Sequence, residues 1–432
     1  MADAPRNDHT KPLQLREPSW EERLESILKN KRVAIIHDQL YTIGGAEKVL
    51  KEIIDLVPHG DVHALFDLLD EAERRYLTGG RPVATSMMQR LPLVRKLRKL
   101  YFPIMPFAIE QMDLGDYDVL ISSSYLVAKG VIAAPNQLHV CYMHSPMRYV
   151  WDQQTTYVGQ FPSRFGVRRM IVRILLHYVR GWDSRSTNGV DLLLTNSEFV
   201  ARRAMKAYRR TARVLYPPVE LDRFLGTALK PVDARLFVTM SRLAEGKRVH
   251  LLLEAFRALP ECRLLVAGDG PMRAGLEAAA PANVSFLGRV PDEAIADLFV
   301  GASAFVYAAE EDFGIAPVEA QACGLPVIAP NRGGTAETVR DFRVDPVAPT
   351  GVLFDRPTPE AVVEAIRLLT DNRAAFRPEN ARANVRQYDR MKFREGFAEA
   401  IVDIMEAHSP LHRRGGPVRA APPPATLADA GR

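Results

Sequence analysis

The chain has 432 residues, of which 47% are hydrophobic and 25% charged, and its formal net charge is +5. These values are typical of globular proteins, and the length predicts two domains. No apolar run approaches the roughly 18–20 residues of a membrane span, and the small positive charge alone does not indicate a nucleic-acid binder.

The N-terminal segment, residues 1–30, is predicted to be a polar arm with one short helix at 21–28. It lacks the apolar core of a secretory signal. The cysteines at 141, 262 and 323 are odd in number and far apart, without metal-ligand spacing. This pattern predicts reduced thiols in a cytoplasmic protein.

Apolar strands alternate with amphipathic helices from residue 31 onward. In the first half, residues 31–216, strands are predicted at 32–37, 118–123, 139–144 and 191–195, and helices at 44–57 and 198–208. Pro217 and Pro218 form a stiff break. In the second half, residues 217–392, strands are predicted at 236–240, 263–267, 284–287, 305–307 and 326–329, and helices at 249–259 and 358–369. A last helix is predicted at 393–407, and the Pro-, Ala- and Arg-rich segment 408–432 is predicted to be disordered.

This alternation in both halves predicts an α/β protein with two doubly wound, Rossmann-like parallel sheets. Ligands of such sheets bind beyond the carboxyl ends of the strands. We therefore expect the functional residues on the loops that follow the strands.

Positive charge is clustered on two apolar segments. The segment 90–102 carries five cations among leucines, and the segment 163–182 places Arg169, Arg173, His177 and Arg180 on one helical face. Another face of that helix carries Ile171, Ile174, Leu175 and Tyr178. Two interpretations remain open. Either these segments lie on an anionic membrane surface, or the apolar stripe faces the core beneath a solvated basic face.

Two loops of the first half carry residues suited to a ligand. Gly44 and Gly45 precede a helix, where glycines let the backbone approach an anion closely, although an ordinary turn has the same pattern. His144 follows a strand, where a histidine contacts a substrate hydroxyl or carbonyl, or else caps the strand or packs in the core.

Two loops of the second half carry charge. Arg242 and Lys247 follow its first strand, where two cations converge on one diphosphate or are simply solvated. Glu311 and Glu319 bracket a helix start that Pro317 is predicted to open, with Glu319 in the first turn. These two acids either bind a ligand beside the helix N-terminus or only complement the helix dipole.

Several apparent motifs are rejected. The sequence Asp116-Tyr117-Asp118 matches a D-x-D metal motif but directly precedes a strand. The segment Gly268-Asp269-Gly270 lacks the third glycine of a dinucleotide fingerprint. The chain has no G-x-x-x-x-G-K-[ST] phosphate loop and no G-x-S-x-G nucleophile motif.

Across residues 32–405, the chain resembles the retaining GT-B glycosyltransferases of family 4. Four separated motifs agree in order: Gly-Gly-Ala-Glu at 44–47, Ser-Arg-Leu…Gly-Lys at 241–247, Glu-x₇-Glu at 311–319 and Gly-Gly at 333–334. The resemblance implies a GT-B fold, in which two Rossmann-like domains face a central cleft. It also implies that the last helix crosses back to the N-terminal domain, which holds the acceptor.

The same resemblance implies roles for the residues of these motifs. Arg242 and Lys247 are expected to hold the diphosphate of a nucleotide-sugar, and Glu319 its ribose. Glu311 and His144 are expected beside the donor sugar. The remaining expected contacts are the backbone N–H groups of Phe313, Gly314 and Ile315, the close approach of Gly44 and Gly45 to the phosphate, and Val290 at the base. No metal and no cofactor are expected.

The segments 142–152 and 37–49 look like those of mannosyltransferases that build bacterial O-antigen and exopolysaccharide. This likeness implies a GDP-mannose donor, a polyprenyl-diphosphate-linked acceptor, and peripheral attachment to the inner face of the cell membrane. The alternatives are a transferase with another donor of the UDP-glucose type, a phosphorylase or epimerase of the same fold, and a non-catalytic scaffold at the membrane surface.

Overall fold

The computed structural model describes residues 18–98, 100–159 and 166–408. The predicted arm before residue 18 and the predicted tail after residue 408 lie outside these ranges, as do Lys99 and residues 163–165 of the two basic segments. Within the described ranges, no helix is both long and apolar enough to span a membrane.

The first half of the chain forms a seven-stranded parallel sheet. Its strands are β1 (Val33–His37), β2 (Asp61–Ala64), β3 (Val83–Thr85), β4 (Val119–Ser124), β5 (Leu138–Met143), β6 (Leu192–Thr195) and β7 (Arg213–Val214). Their spatial order is β3-β2-β1-β4-β5-β6-β7. The order reverses direction between β1 and β4, which is the doubly wound topology.

The second half repeats this plan with six parallel strands. They are β8 (Leu236–Met240), β9 (Arg263–Ala267), β10 (Val284–Gly288), β11 (Ala304–Val306), β12 (Val327–Pro330) and β13 (Gly351–Phe354). Their order is β10-β9-β8-β11-β12-β13, with the reversal between β8 and β11. The predicted fold, with two doubly wound parallel sheets, is confirmed.

Helices accompany the strands in both halves of the chain. Those of the first half are α1 (Trp20–Leu28), α2 (Gly45–Leu56), α3 (Glu71–Thr78), α4 (Val94–Leu97), α5 (Met105–Glu110), α6 (Gln154–Gly159), α7 (Val167–Ser186) and α8 (Glu198–Tyr208). Those that follow are α9 (Asp222–Leu225), α10 (Val249–Arg257), α11 (Arg273–Ala279), α12 (Ile295–Phe299), α13 (Ile315–Ala322), α14 (Thr335–Thr338), α15 (Pro359–Asp371), α16 (Pro378–Val385) and α17 (Arg390–His408).

The central strands are rich in apolar residues and are buried along their whole length. Every residue of β4 and of β5 is buried, as expected for strands that are covered by helices on both faces. In the second half, the rings of Phe237 on β8 and Phe256 on α10 meet edge to face, with centroids 5.5 Å apart. Burial of such rings and aliphatic side chains provides most of the folding free energy.

Within the described ranges, helix α1 and residues 398–408 form a compact unit of their own. Ser19 and Glu22 form a capping box at the start of α1, in which the Ser19 N–H donates to Glu22 Oε2 at 2.7 Å. The side chains of Arg23 and Glu406 approach to 3.9 Å within this unit. Leu24 and Leu28 of α1 are buried.

The first two turns of α17 contact the first half of the chain. The Arg394 Nε donates to Glu52 Oε2 at 2.5 Å, and its Nη2 donates to Asp55 at 3.3 Å. The Phe393 ring lies 5.6 Å from that of Tyr142 on β5. The helix begins three residues earlier than the predicted start at 393.

The Asp116-Tyr117-Asp118 segment is occupied by structural contacts. Asp116 lies 3.1 Å from the Arg32 guanidinium, and Asp118 accepts the Arg32 backbone N–H at 2.9 Å. Tyr117 donates to Asp61 at 3.0 Å and packs on His63. The residues of the D-x-D pattern therefore have a structural role: they connect the start of β4 to the starts of β1 and β2.

Candidate active site

A cleft of about 1480 Å³ lies between the two sheets. His144 directly follows β5, Ser241 directly follows β8 and Gly268 directly follows β9, so the cleft faces the carboxyl ends of strands from both halves. All the predicted site residues line it: Gly44, Gly45, His144, Arg242, Lys247, Val290, Glu311, Phe313, Gly314, Ile315 and Glu319. Their individual roles stay predictions.

The loop between β11 and α13 carries the two predicted acids. Helix α13 begins at Ile315, two residues before Pro317, so the prediction that Pro317 opens the helix is wrong. Gly314 precedes the helix with φ +90°, a conformation that glycine adopts without strain, and this turn lets the helix begin at once. Glu319 is therefore the fifth helical residue and lies just beyond the first turn, not within it as predicted.

Gly333 and Gly334 support this loop from behind. A Cβ atom on Gly333 would lie 2.3 Å from the Glu311 carbonyl oxygen, and one on Gly334 would lie 2.3 Å from the Phe313 Cα. The Gly334 N–H donates to the Glu311 carbonyl at 2.9 Å. Both positions need glycine because the backbone at 333–334 packs directly against the backbone at 311–313. This contact fixes the position of the acidic loop in the cleft.

Glu311 is held within the second half of the chain. Its Oε1 accepts a short hydrogen bond from Lys247 Nζ and another from the Tyr307 hydroxyl at 3.0 Å. Burial, with the nearby Glu311 carboxylate, raises the pKa of Tyr307 well above its ordinary value. Tyr307 is thus a neutral donor that orients the carboxylate.

Arg242 and Lys247 enter the cleft from the loop after β8. Arg242 is exposed there, and within the described ranges its side chain forms no ion pair, so its guanidinium is available to an anion. Lys247 ends a short 3₁₀ turn, Glu245–Lys247, and already neutralises Glu311. Two cations therefore face one cleft wall beside the N-terminus of α13.

Glu319 is buried and 7% exposed. Burial raises the pKa of its carboxyl group, and the cations Lys48 and Arg223 oppose that rise. Lys48 belongs to α2 of the first half, whereas Arg223 belongs to α9 of the second. Both halves of the chain therefore set the charge state of this acid.

His144 ends a hydrogen-bonded row of side chains in the first half. Its Nε2 lies 2.8 Å from Ser123 Oγ, which lies 3.1 Å from His37 Nδ1, and His37 Nε2 lies 3.4 Å from Glu47 Oε1. Burial, together with the neighbouring His37, lowers the pKa of His144 to about 3. The ring is therefore neutral, and its Nδ1 is the nitrogen left for a ligand in the cleft.

Gly44 and Gly45 begin α2 at the edge of the cleft. The Gly44 N–H donates to Glu47 Oε2 at 2.8 Å, which satisfies one of the free donors of the helix start. A Cβ on Gly45 would lie 3.3 Å from Ile315 Cδ1, so this glycine lets the two halves approach closely.

Phe313 lines the cleft but exposes little of its surface. The residue is 4% exposed, and its ring packs against Tyr388 at 5.3 Å and Tyr216 at 5.9 Å between ring centroids.

Gly268 and Gly270, rejected above as a dinucleotide fingerprint, are explained by crowding. Their Cβ atoms would lie 1.9 Å and 2.4 Å from carbonyl oxygens of the 241–243 loop.

Several cleft features had no role assigned from the sequence. Asp38, fully buried after β1, accepts the backbone N–H groups of residues 125–128 at 2.6–2.8 Å and shapes that wall of the cleft. Asp312, between Glu311 and Phe313, contacts Arg148 and Arg203 of the first half. The signals in the sequence that pointed to Asp38 were its place directly after a buried strand and within the segment 37–49.

Helix α7 has an apolar face that no other described part of the chain covers. Its buried residues are Leu176, Val179 and Asp183. The exposed ones include Val167 (59%), Met170 (57%), Ile171 (52%), Ile174 (49%), Leu175 (39%) and Tyr178 (70%). The interpretation that this stripe faces the core is therefore wrong. Arg168, Arg169 and Arg173 are exposed on the same helix.

Comparisons with known proteins agree with this architecture. Residues 225–391 match the family described as glycosyl transferases group 1. The chain is 24% identical over 372 residues to the alpha-1,3/1,6-mannosyltransferase alg2 of Schizosaccharomyces pombe, which covers 72% of this chain and 69% of that protein. It is 28% identical over 260 residues to the GDP-mannose-dependent alpha-(1-6)-phosphatidylinositol monomannoside mannosyltransferase of Mycolicibacterium smegmatis. That match covers 50% of this chain and 65% of the relative.

Among solved structures, Anabaena HepE in complex with UDP and glucose superposes with a TM-score of 0.61 at 20% identity. The superposition covers 86% of this chain and 100% of that one. The chain thus has the GT-B fold, and residues 225–391 match the glycosyl transferases group 1 family. Fold and family match together support a glycosyltransferase.

Proposed function

We propose that this protein is a retaining, metal-independent glycosyltransferase that moves mannose from GDP-mannose to a lipid-linked oligosaccharide in bacterial exopolysaccharide or O-antigen synthesis. The observation that carries the proposal is the convergence of Arg242, Lys247 and the α13 N-terminus on the cleft that also holds Glu311 and Glu319. The GDP-mannose donor is favoured by the named activity of the Mycolicibacterium relative.

The cleft is suited to stabilising a leaving diphosphate. When the anomeric C–O bond breaks, its electron pair stays on the diphosphate oxygen, and negative charge grows there. Arg242 and Lys247 supply positive charge, and the first N–H groups of α13 supply oriented donors. These groups are fixed by the fold before the reaction, so little reorganisation opposes the charge transfer.

Retention follows from attack on the same face as the leaving group. The acceptor hydroxyl forms the new C–O bond as the old one breaks, and its proton passes to a phosphate oxygen of the departing nucleotide. A double displacement needs a second carboxylate about 5 Å from an acid, across the bond. Glu311 is instead engaged by Lys247 and Tyr307, as expected for an acid that positions sugar hydroxyls.

The exposed face of α7 is the proposed contact with the inner face of the cell membrane. Its apolar stripe and flanking arginines match an anionic lipid surface, where a polyprenyl-linked acceptor is held. The protein is accordingly proposed to act in the cytoplasm as a peripheral membrane protein.

A donor and acceptor panel tests the proposal. GDP-mannose, GDP-glucose, UDP-glucose and UDP-galactose are each incubated with the protein and lipid-linked acceptors, and transfer is followed by mass spectrometry. Transfer from GDP-mannose alone is expected. Transfer from UDP-glucose instead would favour the other donor class, and conversion of a nucleotide-sugar without acceptor would indicate a phosphorylase or epimerase.

Arg242→Ala and Lys247→Ala are each expected to raise the activation free energy by about 2–4 kcal/mol, as loss of one oxyanion donor does. Glu245→Ala, on the same loop but exposed and outside the cleft lining, is the matched control. Near-normal turnover in both variants would refute the assigned roles. A scaffold would bind liposomes but no nucleotide, with or without Glu311→Ala.

A further inference from the structure

Asp312 is a carboxylate that binds two arginines of the opposite half of the chain. Its Oδ1 accepts Arg203 Nη1 at 2.7 Å, and its Oδ2 lies 2.5 Å from Arg148 Nη2. Arg203 comes from α8, and Arg148 from the loop after β5. Arg203 also donates to Ser145 Oγ at 3.1 Å and pairs with Asp152, so that guanidinium is held on both sides.

These charges are largely removed from solvent. The side chain of Asp312 is 16% exposed, that of Arg203 13% and that of Arg148 30%. Ion pairs on open surfaces contribute little to stability. A carboxylate that is largely removed from water, however, depends on both guanidinium groups to offset its lost hydration. Separation of the halves would leave one carboxylate and two cations partly buried without partners. The contact therefore favours the closed arrangement of the cleft.

The position of Asp312 joins this contact to the chemistry. Glu311, its neighbour, faces Lys247 and Tyr307 of the second half, while Asp312 reaches into the first half. Arg148 lies four residues beyond His144 on the segment that leaves β5. One ion-pair cluster thus fixes the two cleft walls that carry His144 and Glu311.

We propose that Asp312, with Arg148 and Arg203, is a positioning device that closes the two halves and sets the spacing of His144 and Glu311 around the donor sugar. This inference rests on the proposed function for its kinetic consequence, but the closure itself is independent of the donor. Asp312 touches no reacting atom in this proposal and acts through the neighbouring residues.

Asp312→Asn and Arg148→Gln test the proposal. Both are expected to lower kcat about a hundredfold, the size of effect that a small misplacement of reacting groups produces. The affinity for GDP, measured by calorimetry, is expected to stay near the wild-type value, because Arg242, Lys247 and Glu319 lie on the second half. The double variant is expected to be no worse than Asp312→Asn alone, since that change already removes the ion pair with Arg148.

Closure is measured directly by pulsed dipolar spectroscopy. Spin labels are placed at Ile132→Cys and Val347→Cys, whose parent side chains are 65% and 87% exposed on opposite halves, while the native cysteines are buried. Asp312→Asn is expected to lengthen and broaden the label-to-label distance. Asp233→Asn, which breaks an exposed ion pair with Arg263 inside the second half, is the matched control and is expected to change neither distance nor kcat.

Three results would overturn the proposal: an unchanged distance in both variants, additive losses in the double variant, or a loss of GDP affinity equal to the loss of kcat. If Asp312→Asn fails to fold, Arg148→Gln provides the same readouts. Absence of transfer from every nucleotide-sugar would refute the proposed function while leaving the distance measurement to decide the closure.

Discussion

At the scale of single residues, the two acids of the Glu-x₇-Glu segment have different surroundings. Glu311 accepts hydrogen bonds from Lys247 and Tyr307 and keeps its charge compensated. Glu319 is buried, and its pKa is raised by that burial. The environment, more than the identical side chain, therefore separates the proposed sugar contact from the proposed ribose contact.

Gly334→Ala tests how closely the acidic loop depends on its support. The added Cβ would lie 2.3 Å from Phe313 Cα, so the loop must shift. We expect the free energy of unfolding to fall by about 1–3 kcal/mol, as for overpacked cores, and kcat/KM to fall about a hundredfold.

Gly275→Ala on α11 is the control for this substitution. Its Cβ would meet nothing within 4 Å, and alanine is the better helix former by up to about 1 kcal/mol. Urea unfolding and steady-state kinetics are measured on both variants. Equal stability and equal kcat/KM in the two variants would show that Gly334 is not needed for the close approach to the Phe313 backbone.

At the scale of elements, the sequence predicted best where a signal was local and continuous. The fully buried strands β4 and β5 and the helix α8 were predicted to within a residue or two. Strands β2, β3, β7 and β13 were missed. Strand β3 has three residues at the sheet edge and none is buried, so it carries no apolar period.

The candidate site was predictable because parallel topology gathers strand-end loops at one edge. The cluster of Asp312, Arg148 and Arg203 was not, since an ion pair between distant parts of a chain leaves no local pattern. The start of α13 was misplaced because a proline is tolerated anywhere in the first turn, whose N–H groups have no helical partner. Only the conformation of Gly314 decides the boundary.

The exposed face of α7 gives a prediction for membrane binding. Replacing Ile171, Ile174 and Tyr178 together by serine is expected to weaken binding to phosphatidylglycerol-containing vesicles by at least about tenfold, since each buried apolar side chain contributes about 1.5–3 kcal/mol. Vesicle sedimentation at low and high salt measures the change.

The control replaces Val344 and Val347, which are 84% and 87% exposed on the second half, by serine. This pair removes similar apolar groups away from α7. The proposed membrane face would be wrong if the control weakened vesicle binding as much as the α7 variant, or if wild-type protein failed to sediment with anionic vesicles at low salt.

At the scale of the whole molecule, the chain returns to its first half after completing the second sheet. Arg394 on α17 compensates Glu52, a carboxyl group whose pKa is raised by burial and lowered again by the Arg394 hydrogen bond. Arg394→Gln leaves that carboxylate with a weaker partner. We expect the free energy of unfolding to fall by about 2 kcal/mol, less than for fully buried pairs because Arg394 is partly exposed.

Arg75→Gln serves as the control for Arg394→Gln, because its partner Glu71 lies on the same helix and both side chains are highly exposed. Chemical denaturation of both variants at neutral pH gives the comparison. A loss in the control as large as that in the Arg394 variant would mean that charge removal, and not the connection between α17 and the first half, causes the effect.

The Glu337 carboxylate reaches across from α14 and accepts the N–H groups of Glu198 at 2.9 Å and Phe199 at 2.7 Å, in the first turn of α8. The next amide, Val200, is bonded to Ser197 of its own half at 3.1 Å. Hydrogen exchange at the amides of Glu198 and Phe199 therefore reports the separation of the two halves. Exchange at Val200 gives the background rate from fraying of α8. The protein thus carries a reporter of its own opening that needs neither label nor substrate.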